Sequence, residues 1–348
     1  MNFDFYADLA TLQACPTDGT VPGGLASGFV DGCTASFASN DICAAKYDVE
    51  LANEKDKQRR KELQEKKRKH EVAKNDARQC YMERAQGATL QLPKELDLDP
   101  WLAARLYADW IALEVCFELL TPWYSKDDRP FHVLDNPVRK DRVFGVPFMA
   151  AASWKGMLRW ACRMQAGLQR HLEEDKAFED WIDPAWILQL FGNEKAEEDH
   201  ERLRQGALVF YATWFDKIGF EVINPHDRSR RAGKQPIYYE VVPGRRPKRN
   251  DPNGYEDGST GTLRLLYAPW PGMTGSPALA EWLPKLLEAI YKLLTKYGIS
   301  AKRTVGWGTA QIKKWRAWRK DTPADKPIEA YRRDELLNKL GLGAGGGS

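Results

Sequence analysis

The sequence predicts an α+β domain preceded by a polar N-terminal extension, and three observations carry this prediction. Residues 111–119 alternate apolar and polar side chains, which is the period of a strand with one buried face. Residues 154–172 and 279–297 repeat apolar side chains at helical spacing. The segments between and after these two helices contain further strand-like runs. Strands and helices are therefore expected to share one core.

The two ends of the chain differ from this core in composition. Residues 54–78 contain 11 basic and 6 acidic residues, with Leu63 and Val72 as almost the only apolar side chains. Such a segment can form a helix through ion pairs three and four residues apart, but it cannot bury a face by itself. We therefore predict residues 1–107 to be an extension with a charged helix, a helical hairpin arm or disorder. Residues 334–348, which end in Gly-Ala-Gly-Gly-Gly-Ser, predict a linker-like tail.

Residues 108–333 are the predicted domain, and local patterns place its elements. Ser153 is a suitable N-cap for the first helix. Gly298 is expected to end the second helix, because glycine adopts the left-handed conformation found after helix C-termini. The strands predicted besides residues 111–119 cover residues 208–215, 219–223, 237–242, 262–268 and 309–315. The core order of strand, helix, strand, strand, helix, strand is that of the ferredoxin-like, or RRM-like, βαββαβ fold.

Charge is strongly segregated along the chain. Three stretches, residues 138–170, 228–249 and 291–320, hold 24 Lys and Arg but 2 Asp and Glu. The net charge of the whole chain is only +3, so the remaining 263 residues carry −19. Clustered basic residues on an acidic chain indicate a polyanion partner, with nucleic acid as the first candidate. Solvated basic faces are the alternative.

Composition also limits the class of protein. No run of about 18 apolar residues indicates a transmembrane helix, and the N-terminus lacks the basic and apolar regions of a secretory signal. We therefore expect a cytoplasmic protein with no membrane partner. The six cysteines form no C-x-x-C pair and are expected to be reduced and mostly buried.

Two glycine-containing segments have the chemistry of phosphate sites. Gly306 and Gly308 flank Trp307, with Lys302 and Arg303 upstream, so the backbone could approach a phosphate closely. A glycine-rich turn between helix and strand is the alternative. Residues 153–156 open a helix, whose N-terminus favours anions, and basic residues follow at a spacing of four: Lys155, Arg159 and Arg163.

A third basic segment surrounds the strand predicted at residues 237–242. A hairpin with such flanks could lie over a single-stranded nucleic acid and stack its bases on tyrosines. A surface loop without that role is the alternative. The residues concerned are Arg228, Arg230, Arg231, Lys234, Arg245, Arg246, Lys248 and Arg249, with Tyr238, Tyr239 and Tyr255 for stacking.

Four motifs in sequence order make the chain similar to a known family. They are residues 134–147 (LDNPV, then Asp141 and GVP), 153–159 (SWKGMLR), 224–240 (NPHDR, then Pro236, Ile237 and Glu240) and 298–308 (GISAKRTVGWG). With them the sequence resembles the RAMP superfamily from about residue 111 to residue 315. The second motif stands where the family has a Ser-Leu-Lys-Gly helix start. Residues 148–152 (FMAAA) depart from the family's Ile-Pro-Gly-Ser.

The resemblance implies a backbone subunit of a type III CRISPR effector, with a thumb-like hairpin insertion near residues 224–242. The implied partners are crRNA, complementary target RNA and other RAMP subunits. The RNA-binding residues that we predict are Arg139, Lys140, Ser153, Lys155, Arg159, Arg163, Arg228, Arg230, Arg231, Lys302, Arg303, Gly306, Trp307 and Gly308.

The resemblance also implies an endoribonuclease within a multi-subunit complex. Asp135 stands where active members have an aspartate that supports metal-dependent cleavage of target RNA by the adjacent 2'-hydroxyl. The implied cofactor is a divalent metal ion, Mg²⁺ by preference, with Asp135 as candidate ligand and no metal site assigned from the sequence itself. Asp-Asn-Pro is equally ordinary turn chemistry.

Other assignments stay open beside this one. His132 and His226 lie in the matched loops and are secondary candidates for acid–base catalysis, with structural hydrogen bonding as the alternative. Asp141 and Asp227 could assist a metal or pair with neighbouring arginines. For the whole protein, the alternatives are a non-catalytic RNA-binding scaffold of the same complex and a repeat-processing endoribonuclease that uses histidine.

Overall fold

A computed structural model describes residues 32–87, 90, 98–128, 132–141, 144–193, 205–224, 226–227, 232–233, 236–248, 251–270 and 278–342. These residues belong to two compact units. One comprises residues 1–88, 127–137 and 218–240, and the other comprises residues 89–126, 138–217 and 241–348. The first is called the hairpin unit below and the second the sheet unit.

The helices are α1 (Gly32–Asn53), α2 (Lys57–Gly87), α3 (Trp101–Ala104), α4 (Ala151–Ala166), α5 (Leu168–Glu173), α6 (Ala185–Phe191), α7 (Leu279–Lys292) and α8 (Arg333–Lys339). Short 3-10 helices cover Phe178–Asp180 and Arg303–Val305, and a π-helical turn covers Leu293–Tyr297. The strands are β1 (Ile111–Leu119), β2 (Phe148–Met149), β3 (Leu208–Phe210), β4 (Thr213–Trp214), β5 (Gly219–Ile223), β6 (His226–Asp227), β7 (Ala232–Gly233), β8 (Ile237–Val241), β9 (Arg246–Lys248), β10 (Asp251–Glu256), β11 (Thr260–Tyr267), β12 (Ala310–Trp318) and β13 (Ile328–Ala330).

The central sheet has the predicted ferredoxin-like topology. Its strand order is β13-β12-β1-β11-β3, and each neighbouring pair is antiparallel. Along the chain, β1, α4, β3, β11, α7 and β12 follow the βαββαβ order. The α+β fold class predicted from the sequence is therefore confirmed, and β13 adds one edge strand.

The core lies between the sheet and the two long helices of the sheet unit. Apolar residues of β1 pack with those of α4 and α7, and the fully buried side chains include Trp123, Trp154 and Trp282. Indole N–H groups in this core have acceptors: Trp154 Nε1 donates to Thr213 Oγ1 at 2.9 Å, and Trp123 Nε1 donates to the Ile299 carbonyl at 2.9 Å. These two buried indole N–H groups are thereby satisfied.

Two local predictions in this unit were wrong. The first helix begins at Ala151, with Ala150 as its N-cap, so Ser153 lies inside the first turn and is not the cap. It also ends at Gly167, whose φ of +111° separates α4 from α5. The second error concerns β1, which is buried on both faces, including Glu114 and Glu118. The polar residues of the alternating pattern in β1 include two carboxylates that form ion pairs with basic residues, so they do not mark a solvent-exposed face.

The predicted hairpin insertion lies between β3 and β11. Strand β5 pairs with β8, β6 pairs with β7 between them, and β9 pairs with β10. Two-stranded ribbons therefore occupy the segment where the thumb-like insertion was predicted. In the register of the inner ribbon, His226 lies opposite Gly233 and Asp227 opposite Ala232.

The N-terminal extension contains a helical hairpin, one of the forms predicted. The carboxylate of Asp56 accepts a hydrogen bond from the Arg59 N–H at 2.7 Å and caps α2. Buried residues recur on α2 at intervals of seven, namely Leu63, His70 and Ala77, so the charged segment buries one narrow face in the hairpin. None of the helices in the described ranges has both the length and the apolar character needed to cross a membrane.

The C-terminal segment is more ordered than its composition suggests. Helix α8 begins at Arg333, and Leu336, Leu337 and Leu340 are buried in the core of the sheet unit. Their spacing places them on one side of a short helix. The linker-like residues 343–348 lie outside the described residues.

Gly306 and Gly308 provide a matched test of backbone strain. Both have left-handed φ angles, +85° and +86°, but only a Cβ at position 308 would meet another backbone atom, the Ser300 nitrogen at 2.3 Å. We expect Gly308→Ala to lower the free energy of unfolding by about 3 kcal/mol, because overpacking adds to strain. Gly306→Ala should cost about 1 kcal/mol. Equal losses in urea denaturation would contradict the steric argument.

Candidate nucleic-acid interface

The loop that carries Asp135 is held at several points within the hairpin unit. The Asp127 N–H donates to the Pro137 carbonyl at 3.1 Å and closes the loop at its base. Asn136 donates through Nδ2 to the Tyr238 carbonyl at 3.1 Å and accepts from the Glu240 N–H at 3.0 Å. Both bonds attach the loop to β8. The conformation at residue 136 is therefore fixed by backbone groups of a neighbouring strand.

Asp135 differs from its neighbours in this loop. Val133 and Leu134 are buried, as is Pro137, whereas Asp135 is exposed. Its carboxylate takes part in no hydrogen bond or ion pair within the described part of the chain. Asn136 and the buried side chains therefore hold the turn, and the Asp135 carboxylate is presented to solvent on a fixed backbone.

His132 lies beneath this loop in a chain of hydrogen bonds. The Leu134 N–H donates to His132 Nδ1 at 3.1 Å, and His132 Nε2 lies 3.1 Å from the Tyr81 hydroxyl. The Tyr81 hydroxyl in turn donates to the buried carboxylate of Glu240. Since Nδ1 accepts, a neutral His132 carries its proton on Nε2 and donates to Tyr81. With a side chain only 5% exposed, His132 supports the loop and is not presented to a ligand.

The glycine-rich segment, residues 298–308, forms a compact turn in the sheet unit. The Thr121 hydroxyl donates to the Gly306 carbonyl at 2.9 Å, and the Thr309 N–H donates back to that hydroxyl at 2.9 Å. The N–H groups of Gly306 and Trp307 donate to the carbonyls of Arg303 and Lys302. These two amides are therefore used inside the turn, and a phosphate here would meet side chains and the exposed backbone at Gly306.

Arg303 joins this turn to helix α4. Its guanidinium lies 4.4 Å from the centroid of the Trp160 ring, which also contacts Tyr297 edge-on at 4.9 Å. A guanidinium stacked on an indole keeps edge N–H groups that can meet a phosphate. Lys155 is exposed on α4, five residues or about 7.5 Å along the axis from Trp160. Ser153 lies in the first turn, half-buried.

Arg159 and Arg163 have a different environment. Both guanidinium groups bind the same carboxylate, Asp183, with N–O distances of 2.7 Å for Arg159 and 2.6 Å for Arg163. Burial opposes ionisation of Asp183, but hydrogen bonds from the two arginines outweigh it and hold the pKa of this carboxyl below its ordinary value. The spacing of four that predicted an RNA-facing stripe therefore brings these two side chains together on a buried anion.

The remaining predicted residues divide into two groups. Arg139 is half-buried over the Phe148 ring at 5.8 Å, and Lys140 is buried, with 6% of its surface exposed. The backbone of His226 is described, but its side chain and that of Asp227 are not. Arg228, Arg230 and Arg231, with Lys234, lie outside the described residues.

The Asp135 loop could provide only part of the coordination of a divalent metal ion. Within the described ranges no group of three His, Cys, Asp or Glu residues lies close enough to hold an ion by protein ligands alone. Mg²⁺ is commonly bound by one or two carboxylates together with phosphate oxygens and water. The exposed carboxylate of Asp135 could supply one ligand of that kind, and the remaining ligands would have to come from outside the described residues.

Sequence reasoning missed three residues that shape the site. Tyr81 and Glu240 connect α2, the loop and β8, and Asp183 gathers two arginines. Glu240 belongs to the motif at residues 224–240, but the motif does not predict its bond to Tyr81. A single acidic residue between apolar neighbours, such as Asp183 in Trp-Ile-Asp-Pro-Ala-Trp, is the pattern that could have indicated a buried ion pair.

The topology and the glycine-rich turn define a ferredoxin-like α+β protein, and sequence comparison identifies its family. The family model described as the RAMP superfamily matches residues 116–311, more than half of the chain. The chain therefore belongs to the RAMP superfamily. No curated protein sequence matches it.

Two solved structures resemble the chain only distantly. A chain in the cryo-EM structure of the Type III-B Cmr-beta bound to cognate target RNA has 15% identity and a TM-score of 0.48, covering 83% of this chain and 93% of that one. A chain of a CRISPR RNA-guided surveillance complex, pre-nicking, has 11% identity and a TM-score of 0.38, covering 60% and 75%.

The Asp183 cluster should contribute to stability and not to RNA binding. We expect Asp183→Asn to lower the free energy of unfolding by about 3 kcal/mol at pH 7, because two guanidinium groups that are only 12% exposed lose their counter-charge. The folded-state pKa lies below the ordinary 3.8, so the contribution is full above that value and is lost as the pH falls below about 4. Urea denaturation from pH 3 to pH 7 measures this. An unchanged pH dependence in Asp183→Asn would contradict it.

Proposed function

We propose that the chain is an RNA-binding backbone subunit of a type III CRISPR effector complex. Membership of the RAMP superfamily and the four motifs support this proposal. Its partners would be crRNA, complementary target RNA and neighbouring RAMP subunits. The observation that best supports RNA contact is the turn at residues 302–308. There Arg303 stacks on Trp160 of α4, the helix that also contains the exposed Lys155.

The proposed contact uses shape and charge, as recognition of an RNA backbone does. Lys302 and Arg303 precede the exposed Gly306, so a phosphate could approach the turn without meeting a side chain at that position. Val305 is 65% exposed and offers an apolar surface at the tip of the same turn. Arg159 and Arg163 are left out of this proposed surface, because both guanidinium groups are held by ion pairs with Asp183 and their side chains are only 12% exposed.

We further propose that Asp135 supports cleavage of target RNA that is paired with the guide. The support is its exposed carboxylate, which is free of structural hydrogen bonds within the described residues, on a loop fixed by Asn136 and His132. A metal ion bound there would offset charge on the phosphate undergoing attack. Asp135 would hold the ion, and the fixed loop would set where that phosphate lies, which favours in-line attack by the 2'-hydroxyl.

A non-catalytic scaffold is the second candidate. It is favoured because no cluster of three ligating His, Cys, Asp or Glu residues occurs among the described residues, and because the imidazole of His132 is buried. In that case the Asp135 loop would only shape the groove around the RNA. The two candidates agree on RNA binding and differ on cleavage alone.

RNA binding can be tested with two single variants of the full chain. We expect Lys155→Ala and Lys302→Ala each to weaken binding of a single-stranded RNA probe. Each should also lower the slope of log K against log salt by about 0.7, the value for one lost phosphate contact. Fluorescence anisotropy at several salt concentrations measures both effects.

The matched control is Arg159→Ala, which removes the same kind of charge from the same helix. Because Arg159 pairs with Asp183, this variant should lose stability and keep the salt slope of the parent. The proposed surface would be contradicted if Arg159→Ala lowered the slope of log K against log salt by about 0.7 while Lys155→Ala left that slope unchanged.

Cleavage is tested with Asp135→Ala in the assembled complex on guide-complementary RNA with Mg²⁺. We expect cleavage to fall on the order of 100-fold or more, as on removal of a metal-holding or acid–base group. The free energy of unfolding should change by no more than about 0.5 kcal/mol, because the side chain is exposed. RNA affinity should not fall, since the variant removes a negative charge.

Asp128→Ala is the control, because Asp128 is also an exposed aspartate of the same loop. It should cut at the rate of the parent. If Asp135→Ala cuts as fast as the parent, another residue performs the chemistry. If the parent does not cut at all, the scaffold proposal is correct and the catalytic one is wrong.

A further inference from the structure

The helical hairpin brings two thiols into direct contact. Cys33 lies at the start of α1 and Cys80 near the end of α2, and their Sγ atoms are 3.0 Å apart. A disulfide bond requires about 2.05 Å between the sulfur atoms. A shift of about 1 Å, within reach of small side-chain rotations, would therefore bring the pair to bonding distance.

The other described cysteines differ in environment. Burial raises the pKa of the Cys162 thiol, and burial together with Glu114 raises that of Cys116, so their reactive thiolate forms are disfavoured. Cys80 is partly exposed, which gives a small oxidant access to one member of the pair. Cys43, also on α1, is disulfide-bonded, so the expectation of reduced cysteines was wrong there.

We infer that Cys33 and Cys80 are a redox modification site that closes to a disulfide on contact with a peroxide. The thiolate of Cys80 attacks one peroxide oxygen, the O–O bond breaks, and a sulfenic acid forms while one water leaves. The Cys33 sulfur then attacks the sulfenic sulfur, and the S–O bond breaks with loss of a second water. Two thiols are oxidised by two electrons, and one hydrogen peroxide is reduced to two waters.

The bond would act on the part of the hairpin unit that supports the Asp135 loop. Cys80 immediately precedes Tyr81, whose hydroxyl donates to Glu240 and contacts His132. A link from Cys80 to Cys33 ties the end of α2 to the start of α1, and thus restricts opening of the hairpin at its base. Since the crosslink spans 47 positions of sequence, it should also constrain the unfolded chain strongly.

The experiment treats the full chain with hydrogen peroxide, alkylates the remaining thiols, and digests it without reduction. A protease that cleaves at aspartate is suitable, because Asp41 separates Cys33 from Cys43. We expect a linked peptide that contains Cys33 and Cys80 and that dithiothreitol releases. The melting temperature should rise by several degrees on oxidation and return on reduction.

Cys80→Ser and Cys33→Ser should each abolish the linked peptide and the shift in melting temperature, whereas Cys116→Ser should keep both. Two separate serine variants are used so that the test still stands if one of them fails to fold. Alkylation of both thiols after peroxide treatment would overturn the inference. So would a linked peptide that joins Cys80 to a different cysteine, or oxidation of Cys80 to a sulfinic acid without crosslinking. None of these readouts involves RNA, so the result is independent of the proposed function.

Discussion

The carboxylate of Glu114 at the centre of the sheet is the constraint on which the rest of the sheet unit depends. Its side chain is only 8% exposed, and in the strand registers it lies directly opposite Arg264 of β11 and Arg316 of β12. Both arginines bind it, at 3.1 Å and 2.8 Å. Arg316 lies opposite Glu329 of β13 and pairs with it at 2.8 Å. Alternating charges thus cross four adjacent strands.

This row of charges specifies the register as well as joining the strands. A slip of one residue would turn Glu114 toward the apolar face and leave a buried charge without its partners, which costs several kcal/mol. Glu118, on the same strand, is also a buried carboxylate with a basic partner. Glu118 pairs with Lys313 at 2.6 Å and accepts from the Gly258 N–H at 3.0 Å. The hydrogen bond from Lys313 lowers the pKa of Glu118 although burial raises it.

These ion pairs change the interpretation of the basic stretches found in the sequence. Several basic residues in the stretches that predicted a polyanion partner are committed to buried or half-buried carboxylates: Arg159, Arg163, Lys313, Lys314 and Arg316. Local charge density cannot distinguish them from Lys155, because their acidic partners are distant in sequence or lie on other strands. Segregated charge therefore overstates the number of basic side chains in these stretches that are available to a polyanion.

The parts of the fold that could be predicted are those with a strong local period or a required backbone angle. Strand β1 and helix α7 have clear periods, and Gly298, with φ of +78°, ends the helical segment as expected. The start of α4 could not be predicted from Ser153, because Ala150 takes the cap position without a side-chain bond. The buried face of α2 was also hidden. It consists of Leu63, His70 and Ala77 at intervals of seven in a highly charged segment, and His70 in it is hydrogen-bonded to Asn40 of α1.

The same reasoning explains why a candidate catalytic loop could be found from sequence while its support could not. Asp135 was identified by its motif, but Tyr81 comes from a helix 54 positions earlier in the sequence and Glu240 from a strand more than 100 positions later. The neutral tautomer of His132 links these two residues to the loop backbone. Buried hydrogen bonds of this kind fix a backbone without using the exposed side chain. The loop thus separates two roles: Asn136 and His132 set its geometry, and the exposed carboxylate of Asp135 takes no part in holding it.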